Sequence, residues 1–333
     1  MNQRKKKTLA DAAGQNVMLC VLLVMVIVFA IVAKGFLSVT NLLGILRSVA
    51  ITGVIAFGMT MTIIAGEIDL SVGSTIGLTG VIVAKLAGTL SASGSMSMGA
   101  AAVVGMIVAV VLSLIIGFVI GVIRVRFNIP TFIITLAMLN ALYGLAAVIC
   151  KGFPVTTLPT WYSFIGAGVI GRVPVPAIWL LLIFAVSLVL MNYTRFGREI
   201  YAVGGNPESA RLSGINVRKI KISVMMIVQV LSAFAGIILS SQVYSGNFSF
   251  GRGYEMDVIA PVIIGGASMN GGIGKVTGTL VGIVFLGVLL NGMTLLGVDD
   301  YVKYIVRGAV ILLAVLVNAI QEEQAKKQAA RTR

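Results

Sequence analysis

The chain has 333 residues, of which 58% are hydrophobic and only 11% are charged. These proportions exclude a soluble globular protein and are typical of a protein that crosses a membrane many times. The net charge of +14 does not indicate nucleic acid as a partner, because the basic residues are dispersed and stand at the ends of apolar runs.

Apolar runs of roughly 17–25 residues are long enough to span a bilayer, and the chain contains ten candidate segments. The eighth is too short to span comfortably, and Pro261 and the glycine pairs after it interrupt the run. We therefore expect a discontinuous or re-entrant helix near residues 255–272. The sequence predicts one all-α membrane domain over residues 1–333, with about ten transmembrane helices. The segments are 17–34, 42–64, 70–88, 98–123, 131–150, 176–193, 222–243, 255–268, 277–296 and 302–320.

The positions of the basic residues predict how these helices are oriented. With the N-terminus inside, 17 of the 25 lysines and arginines fall in inner segments and five on the outer side. Lysine and arginine are concentrated in cytoplasmic loops. Both tails, 1–16 and 321–333, and the long basic loop 194–221 are therefore predicted to be cytoplasmic. A signal peptide would also begin with basic residues, but no cleavage pattern follows here and nine further segments do.

Two short acidic motifs stand beside predicted segments, Glu67-Ile-Asp69-Leu-Ser71 after the second and Glu255-Met-Asp257 at the start of the eighth. A carboxylate at bilayer depth costs about 2.5–3.5 kcal/mol even on lenient insertion scales, so such groups face a cavity or a partner. Two interpretations of the first motif stay open. Asp69 or Ser71 caps the following helix, or the turn lines the transport path or its gate. The candidate path residues are Asp69, Ser71, Glu255, Asp257, Asn270 and Asn291.

The two motifs also indicate an internal repeat. Each has an acid, one residue, a second acid and an aliphatic residue, before a glycine-rich stretch. The predicted orientation puts one motif at an inner and the other at an outer end. Segments two to five and seven to ten would then be two halves of inverted orientation, with the path at their interface. In the first glycine-rich stretch, Gly73, Gly77 and Gly80 have a spacing that allows close helix contact.

The longest outer loop, residues 151–176, contains four of the seven prolines together with Trp161 and Tyr162. Proline prevents regular helix, and the aromatic residues suit the membrane interface. Two interpretations stay open here as well. The loop is a docking platform for an extracytoplasmic partner, or it is a packed external loop with interfacial anchors.

Four charged residues mark the start of the last segment. Asp299 and Asp300 precede Lys303 and Arg307 at helical spacings, which suits ion pairs on one helix face. We interpret this group as a charge-neutralised outer helix end.

The sequence contains no pattern for catalysis or metal binding. It has no histidine, and its two cysteines, Cys20 and Cys150, have no paired framework. A glycine-rich stretch ending in Lys275 resembles a phosphate loop, but Met269 stands where glycine is needed and Val276 stands where Ser or Thr is needed. We expect no enzymatic activity and no cofactor in this chain.

The basic loop 194–221 contains a predicted helix start. Asn206 is placed as the N-cap, Pro207 at the first helical position and Glu208 at the positive end of the helix dipole, while Gly214 ends the helix. A capped helix in a polar loop between long apolar segments indicates contact with another protein.

Four stretches together resemble the permease subunits of ribose-type ABC sugar importers, a group that also serves galactose, xylose, arabinose and autoinducer-2. The likeness runs from about residue 36 to residue 317. Glu67 departs from it, since the ribose-type pattern usually has a small residue there. The stretches are GMTMTIIAGEIDLSVGS, TRFGREIYAVGGNPESARLSGINVRKIKI, GYEMDVIAPVIIGGASMNGGIGKVTGTLVG and VILLAVLV.

The resemblance implies a ten-helix permease of the bacterial plasma or inner membrane that works with a second copy or a paralogue. It also implies a cytoplasmic ATPase with two nucleotide-binding halves, which would carry ATP and Mg, and an extracytoplasmic sugar-binding protein. Asp69, Leu70 and Ser71 match the family turn after the second span. The residues that match the ATPase-docking loop are Asn206, Pro207, Glu208, Ser209, Ala210, Arg211, Leu212, Ser213, Gly214 and Ile215.

Two other classes of function are weighed against this one. In an ion-coupled secondary transporter of a small polar solute, Glu67, Asp69, Glu255 and Asp257 would be ion or proton sites. In a membrane scaffold, the spans would lack polar residues, which the second and eighth segments contradict. The sequence favours a permease that needs an ATPase.

Overall fold

The computed structural model describes the backbone of residues 9–331 and the side chains of residues 18–317 and Ile320. Residues 1–8 and 332–333, which belong to the two predicted tails, lie outside the described residues. The described chain forms thirteen α-helices. They are α1 (Leu9–Val32), α2 (Val39–Ile64), α3 (Val72–Ala92), α4 (Met98–Phe127), α5 (Thr131–Cys150), α6 (Ser163–Ala167), α7 (Val175–Tyr193), α8 (Arg195–Gly205), α9 (Pro207–Leu212), α10 (Val217–Val243), α11 (Tyr254–Ile264), α12 (Val276–Leu295) and α13 (Asp300–Arg331).

The remaining regular structure lies between α5 and α7. A 3-10 turn at Thr160–Tyr162 precedes α6. The strands β1 (Val169–Ile170) and β2 (Val173–Pro174) then form an antiparallel hairpin, in which Val169 lies opposite Pro174.

Seven helices are long and apolar enough to cross a membrane: α2, α3, α4, α5, α7, α10 and α12. The apolar part of α1 is shorter, and α11 has 11 residues, about 16 Å or half of a hydrocarbon layer. Each of the ten predicted segments overlaps one helix. An all-α polytopic membrane protein is therefore confirmed, whereas ten complete spans stay a prediction.

The centre of the bundle is formed by α2, α3 and α10, each of which is mostly buried over its spanning part. The helix α10 packs against α2, α3 and α4, and α12 packs against α2 and α11. In contrast, α5 and α7 keep one broad face exposed. We call the end of the bundle at which residues 194–221 lie the basic end.

The segment that packs against the glycine face of α3 is not a helix. Residues 244–253, between α10 and α11, form turns instead of a helix. A Cβ atom on Gly77 would lie 2.6 Å from the carbonyl oxygen of Phe248, and one on Gly73 would lie 2.3 Å from that of Gly251. The predicted close approach is thus present, but its partner is turn backbone. The helix before it ends at Val243, the end of the predicted segment 222–243.

After α11, the chain leaves the helical conformation again. Pro261 lies inside α11, which ends at Ile264, and residues 265–275 are non-helical up to the start of α12. Gly272 N–H donates to the carbonyl oxygen of Ile64, the last residue of α2, at 2.8 Å. This stretch therefore lies at the basic end, where the end of α2 contacts Gly272 and α8 contacts Gly271.

We expect Gly77→Ala to destabilise the bundle by about 1–3 kcal/mol, because the new methyl group would overlap backbone that has no room to move. Thermal unfolding in detergent measures the loss as a lower Tm. Gly308→Ala in α13 is the matched control, since a Cβ there meets no atom within 4 Å. Equal Tm values for the two variants would contradict the docking of residues 244–253 on α3.

Candidate functional site: a polar interior and an exposed loop helix

A buried polar cluster surrounds the start of α3. Asp69 and Ser71 are fully buried. One oxygen of Asp69 accepts from the N–H of Ser71 at 2.8 Å and from its hydroxyl at 2.6 Å, and the other accepts from Gln229 Nε2 at 2.7 Å. Thr75 donates to Gln229 Oε1 at 2.6 Å. We call these four residues the polar cluster.

The polar cluster lies deep in the bundle. Gln229 is near the middle of α10, which has 27 residues, and so stands about 18 Å along the helix from Val217. Asp69 does bond the free N–H of Ser71, as expected of a capping residue, but the Ser71 side chain makes no capping bond. Since both oxygens of Asp69 are bonded to protein groups, the cluster fixes the start of α3 against α10.

Glu67 belongs to a different structure, at the basic end. It is buried, and its carboxylate lies 2.9 Å from Arg124 Nε and 2.5 Å from Lys221 Nζ. These cations stand at the end of α4 and the start of α10. Removing one partner of such a buried pair is strongly destabilising, so Glu67 ties three elements together. In the sequence, the only feature that these three residues share is their position at the ends of predicted spans.

A cavity of about 400 Å³, which we call the larger cavity, lies between α2, α11, α12 and α13. Asp257 borders it and accepts from Arg307, so Arg307 pairs with an acid of α11 that lies outside its own helix. Lys303 does pair with Asp300, at 2.8 Å. Polar lining residues are Ser48, Thr52, Tyr254, Asp257, Asn291, Thr294 and Arg307.

Asn291, which lines this cavity, also links two helices that are far apart in the sequence. Its amide exchanges two hydrogen bonds with that of Asn41 in α2, each of 2.9 Å. In an apolar environment such an amide pair satisfies polar groups that would otherwise be left unbonded. The predicted path residue therefore also fastens α12 to the start of α2.

The smaller cavity, of about 130 Å³, lies between α3, α5 and residues 244–253. Glu255 borders it together with Asn140, Tyr143 and Arg252. Glu255 and Asp257 therefore face different cavities, although they are two residues apart. Asn270 lies elsewhere again, in the stretch 265–275, where its N–H donates to Ser268 Oγ. The six predicted path residues do not form one site.

The predicted loop helix is present as α9. Asn206 Oδ1 accepts from the N–H of Ser209 at 2.9 Å, and Pro207 occupies the first turn. Gly214 has a φ of +82°, which favours glycine, and ends the helix. Glu208 pairs with Arg211 at 2.6 Å, and the hydrogen bond from Arg211 lowers the pKa of Glu208. Leu212 is 77% exposed.

The amphipathic helix α8 connects α9 to the bundle, and sequence reasoning missed it. Ile200 and Val203 are buried, and their spacing, with Phe196, is the signal of one apolar helix face. Tyr201 donates to the carbonyl oxygen of Gly274 at 2.8 Å, and burial raises the Tyr201 pKa. A Cβ on Gly204 would lie 1.7 Å from the carbonyl oxygen of Ile64, so α8 touches the end of α2.

The outer loop is packed on the end of α10. The hydroxyl of Tyr162 lies 2.6 Å from Ser240 Oγ, and Ser241 Oγ donates to the Tyr162 carbonyl oxygen at 2.5 Å. Gly166 N–H also donates to Ser241 at 2.8 Å. These bonds agree with a packed external loop, and a docking role stays a prediction.

A multi-pass helical bundle with a polar interior and an exposed, capped loop helix is the architecture expected of a membrane transport permease. The family described as the branched-chain amino acid transport system permease component matches residues 41–315. The chain belongs to this family, and within it to the ribose-type permeases of ABC transporters. No solved structure matches the chain significantly.

Curated relatives cover nearly the whole chain. The ribose import permease protein RbsC of Bacillus subtilis is 43% identical over 299 residues, 89% of this chain and 90% of the relative. Its counterpart from Escherichia coli K12 is 40% identical over 310 residues, 90% and 92% of the two chains. The L-arabinose ABC transporter permease protein AraH of Azospirillum brasilense is 33% identical over 305 residues, 91% and 87%.

We expect Gln229→Leu to destabilise the protein by about 1–3 kcal/mol or more, because it removes a donor from the buried carboxylate of Asp69. Thermal unfolding in detergent is again the measurement. Gln242→Leu is the control on the same helix, since the Gln242 side-chain oxygen has no hydrogen-bond partner among the described residues. If both variants lose the same stability, the polar cluster does not fix α3.

Proposed function

We propose that this chain is the membrane-spanning permease subunit of an ATP-driven importer that moves ribose or a similar monosaccharide into the cytoplasm. The observation that carries the proposal is 40% or higher identity to two ribose import permeases across about nine-tenths of the chain. ATP and Mg would bind to a separate ATPase, so this chain contributes binding, positioning and movement and no catalytic residue.

The proposed topology places the basic end in the cytoplasm, with both termini on that side, because lysine and arginine favour cytoplasmic loops. Ten transmembrane helices would then include α1, α11 and α13, with α11 crossing only part of the bilayer. In the bacterial plasma or inner membrane, the opposite end faces an extracytoplasmic sugar-binding protein. A second copy or a paralogue completes the transporter.

An inverted repeat is part of the proposal and has one geometric support. Both α3 and α11 follow a non-helical stretch, and their N-termini approach each other inside the bundle: a Cβ on Gly73 would lie 2.7 Å from Glu255 Oε2. In transporters built from inverted repeats, discontinuous helices point their N-termini at the transport path near the bilayer midplane. The halves would be α2–α5 and α10–α13.

Coupling to ATP hydrolysis is assigned to residues Asn206 to Ile215. Leu212 and the pair of Glu208 and Arg211 are exposed on α9, as suits a short helix that docks in a groove of the ATPase. ATPase closure would move α9 and, through α8, the end of α2 and the stretch 265–275 that contains Asn270. Such a rigid-body shift changes which side of the path is open.

The path itself needs only weak polar contacts, because a monosaccharide is neutral and the binding protein supplies affinity. Glu255 borders the smaller cavity, and Asp257 and Asn291 border the larger one, so these three are the candidates for contact with solute. Asp69 and Ser71 act on the path indirectly, by holding the N-terminus of α3 in place.

Docking of α9 predicts the effect of exchanging its charges. The double variant Glu208→Arg and Arg211→Glu keeps an ion pair within α9 and therefore its fold, yet reverses the charges that the ATPase would meet. Sugar-stimulated ATP hydrolysis in liposomes should fall about tenfold or more, since each misplaced interface charge costs several kcal/mol. Unchanged ATPase binding and hydrolysis would rule out this docking surface. Arg218→Glu, at an exposed position in the first turn of α10, is the control.

Reconstitution separates an ATP-driven importer from an ion-coupled transporter. Liposomes that contain the permease, its ATPase and its binding protein should take up labelled ribose only with ATP. The purified permease alone should take up none under an imposed proton or sodium gradient. Uptake by the permease alone, driven by a gradient and indifferent to ATP, would establish the ion-coupled alternative instead.

A further inference from the structure

Glu67 is a buried carboxylate to which the proposed function gives no role. It is only 3% exposed, and it stands where the chain departs from the ribose-type pattern, so likeness to the family assigns it no role either. Oε1 of Glu67 lies 2.5 Å from Nζ of Lys221, and Oε2 lies 2.9 Å from Nε of Arg124. A buried carboxylate between cations of two helices holds both of those helices in a fixed position relative to its own segment.

The two helices that carry these cations, α4 and α10, pack backbone against backbone at the same end of the bundle. A Cβ atom on Gly121 would lie 2.7 Å from the Cα of Ile222, and one on Gly117 would lie 2.6 Å from the carbonyl oxygen of Met225. Elements packed this closely shift as units, because a close-packed interface does not deform continuously. The end of α4 and the start of α10 therefore form one body, to which Glu67 fastens the turn after α2.

The loop helices α8 and α9 reach the bundle at two points. The first is the end of α2, where a Cβ on Gly204 would lie 1.7 Å from the carbonyl oxygen of Ile64, so α8 cannot come closer without pushing α2. The second is the start of α10 at Val217, because Ile215 N–H donates to the carbonyl oxygen of Ala210 in α9 at 3.0 Å. A displacement of α8 and α9 therefore acts on α2 and on α10.

Glu67 connects these two points. Its N–H donates to the carbonyl oxygen of Thr62 at 3.0 Å, so the turn that carries it is bonded to the end of α2. Its partner Lys221 is the fifth residue of α10. The ion pair therefore closes a ring that consists of the end of α2, the helices α8 and α9, and the start of α10. With the ring closed, the ends of α2 and α10 shift together, whereas an open ring lets them separate.

We propose that Glu67 is a positioning residue for coupling to the ATPase, because its pair with Lys221 braces the end of α2 against the start of α10. We call this pair the brace. Movement of α8 and α9 then shifts both helices as one unit, and Asp69, which is bonded to Gln229 of α10 at 2.7 Å, carries the start of α3 along. An exposed ion pair would be too weak for this role. The contacts themselves define the brace, whereas its use in ATP-driven transport rests on the proposed function.

Ribose moved per ATP hydrolysed tests the brace in liposomes that contain the full importer. Lys221→Gln opens the ring but leaves Glu67 paired with Arg124, which preserves the fold, and Glu67→Gln removes both pairs. We expect ribose per ATP to fall about tenfold in each variant, because breaking a buried pair lets the end of α2 move without α10.

Two matched variants control this measurement. Lys221→Arg keeps a cation opposite Glu67 and should hold the ratio of ribose to ATP near wild type. Lys219→Gln removes the same charge from an exposed position two residues away, and it should also leave the ratio unchanged. Wild-type ratios in both Glu67→Gln and Lys221→Gln would overturn the brace, and so would an equal fall in Lys219→Gln.

Hydrogen exchange distinguishes the brace from a purely structural role and needs no sugar. The N–H groups of Gly66 and Glu67 bond to carbonyl oxygens of the last turn of α2, so peptides from this turn report its opening. In Lys221→Gln, their exchange should rise about fivefold when the complex with the ATPase is held in its ATP-bound state, but not without nucleotide.

The unaltered protein should show no rise in either state. An equal rise with and without nucleotide would mean that the pair only stabilises the fold, which overturns the proposal, and so would the absence of any rise. If the unaltered importer moves no ribose, the proposed function fails, and hydrogen exchange in the ATP-bound complex still decides whether the brace exists.

Discussion

Burial of non-helical backbone at membrane depth is the constraint on which this structure depends. Every unbonded N–H or C=O group in hydrocarbon costs several kcal/mol, yet residues 244–253 leave the helical conformation against the interior helix α3. The glycine face of α3 makes this possible, because Gly73 and Gly77 let backbone approach at distances that a side chain forbids. A second non-helical stretch, residues 265–275, is held at the basic end by the bond from Gly272 to Ile64.

The same two stretches separate what the sequence predicts from what it leaves open. Spans such as α4 and α10 follow from composition alone, because a long apolar run has few alternatives. The cap of α9 follows from local chemistry at Asn206 and Pro207. The spacing of glycines on α3 predicts that another segment packs closely, but it does not predict which one. A helix face without side chains can pack against a helix or against a turn. The partner is a property of the whole fold.

Pairing of charged and polar groups shows the same limit at the candidate site. Asp257 and Arg307 are 50 residues apart, and Glu67 and Arg124 are 57 apart. Nothing local links such residues, so helical spacing could not predict these pairs. Glu255 and Asp257 share a motif, yet they border different cavities because helical positions two residues apart point to nearly opposite sides, about 160° apart. The sequence shows which residues are unusual for a membrane span, and the fold determines which partner each of them contacts.

The order in which the chain is made gives the polar cluster a further meaning. Asp69 enters the membrane early, whereas its partner Gln229 is synthesised 160 residues later. At a translation rate of roughly 5–20 residues per second, this carboxylate waits on the order of ten seconds for α10. The first five helices cannot reach their final packing during that interval. Packing around the polar cluster is therefore completed only when α10 is inserted, and α12 then adds the remaining contacts of α2.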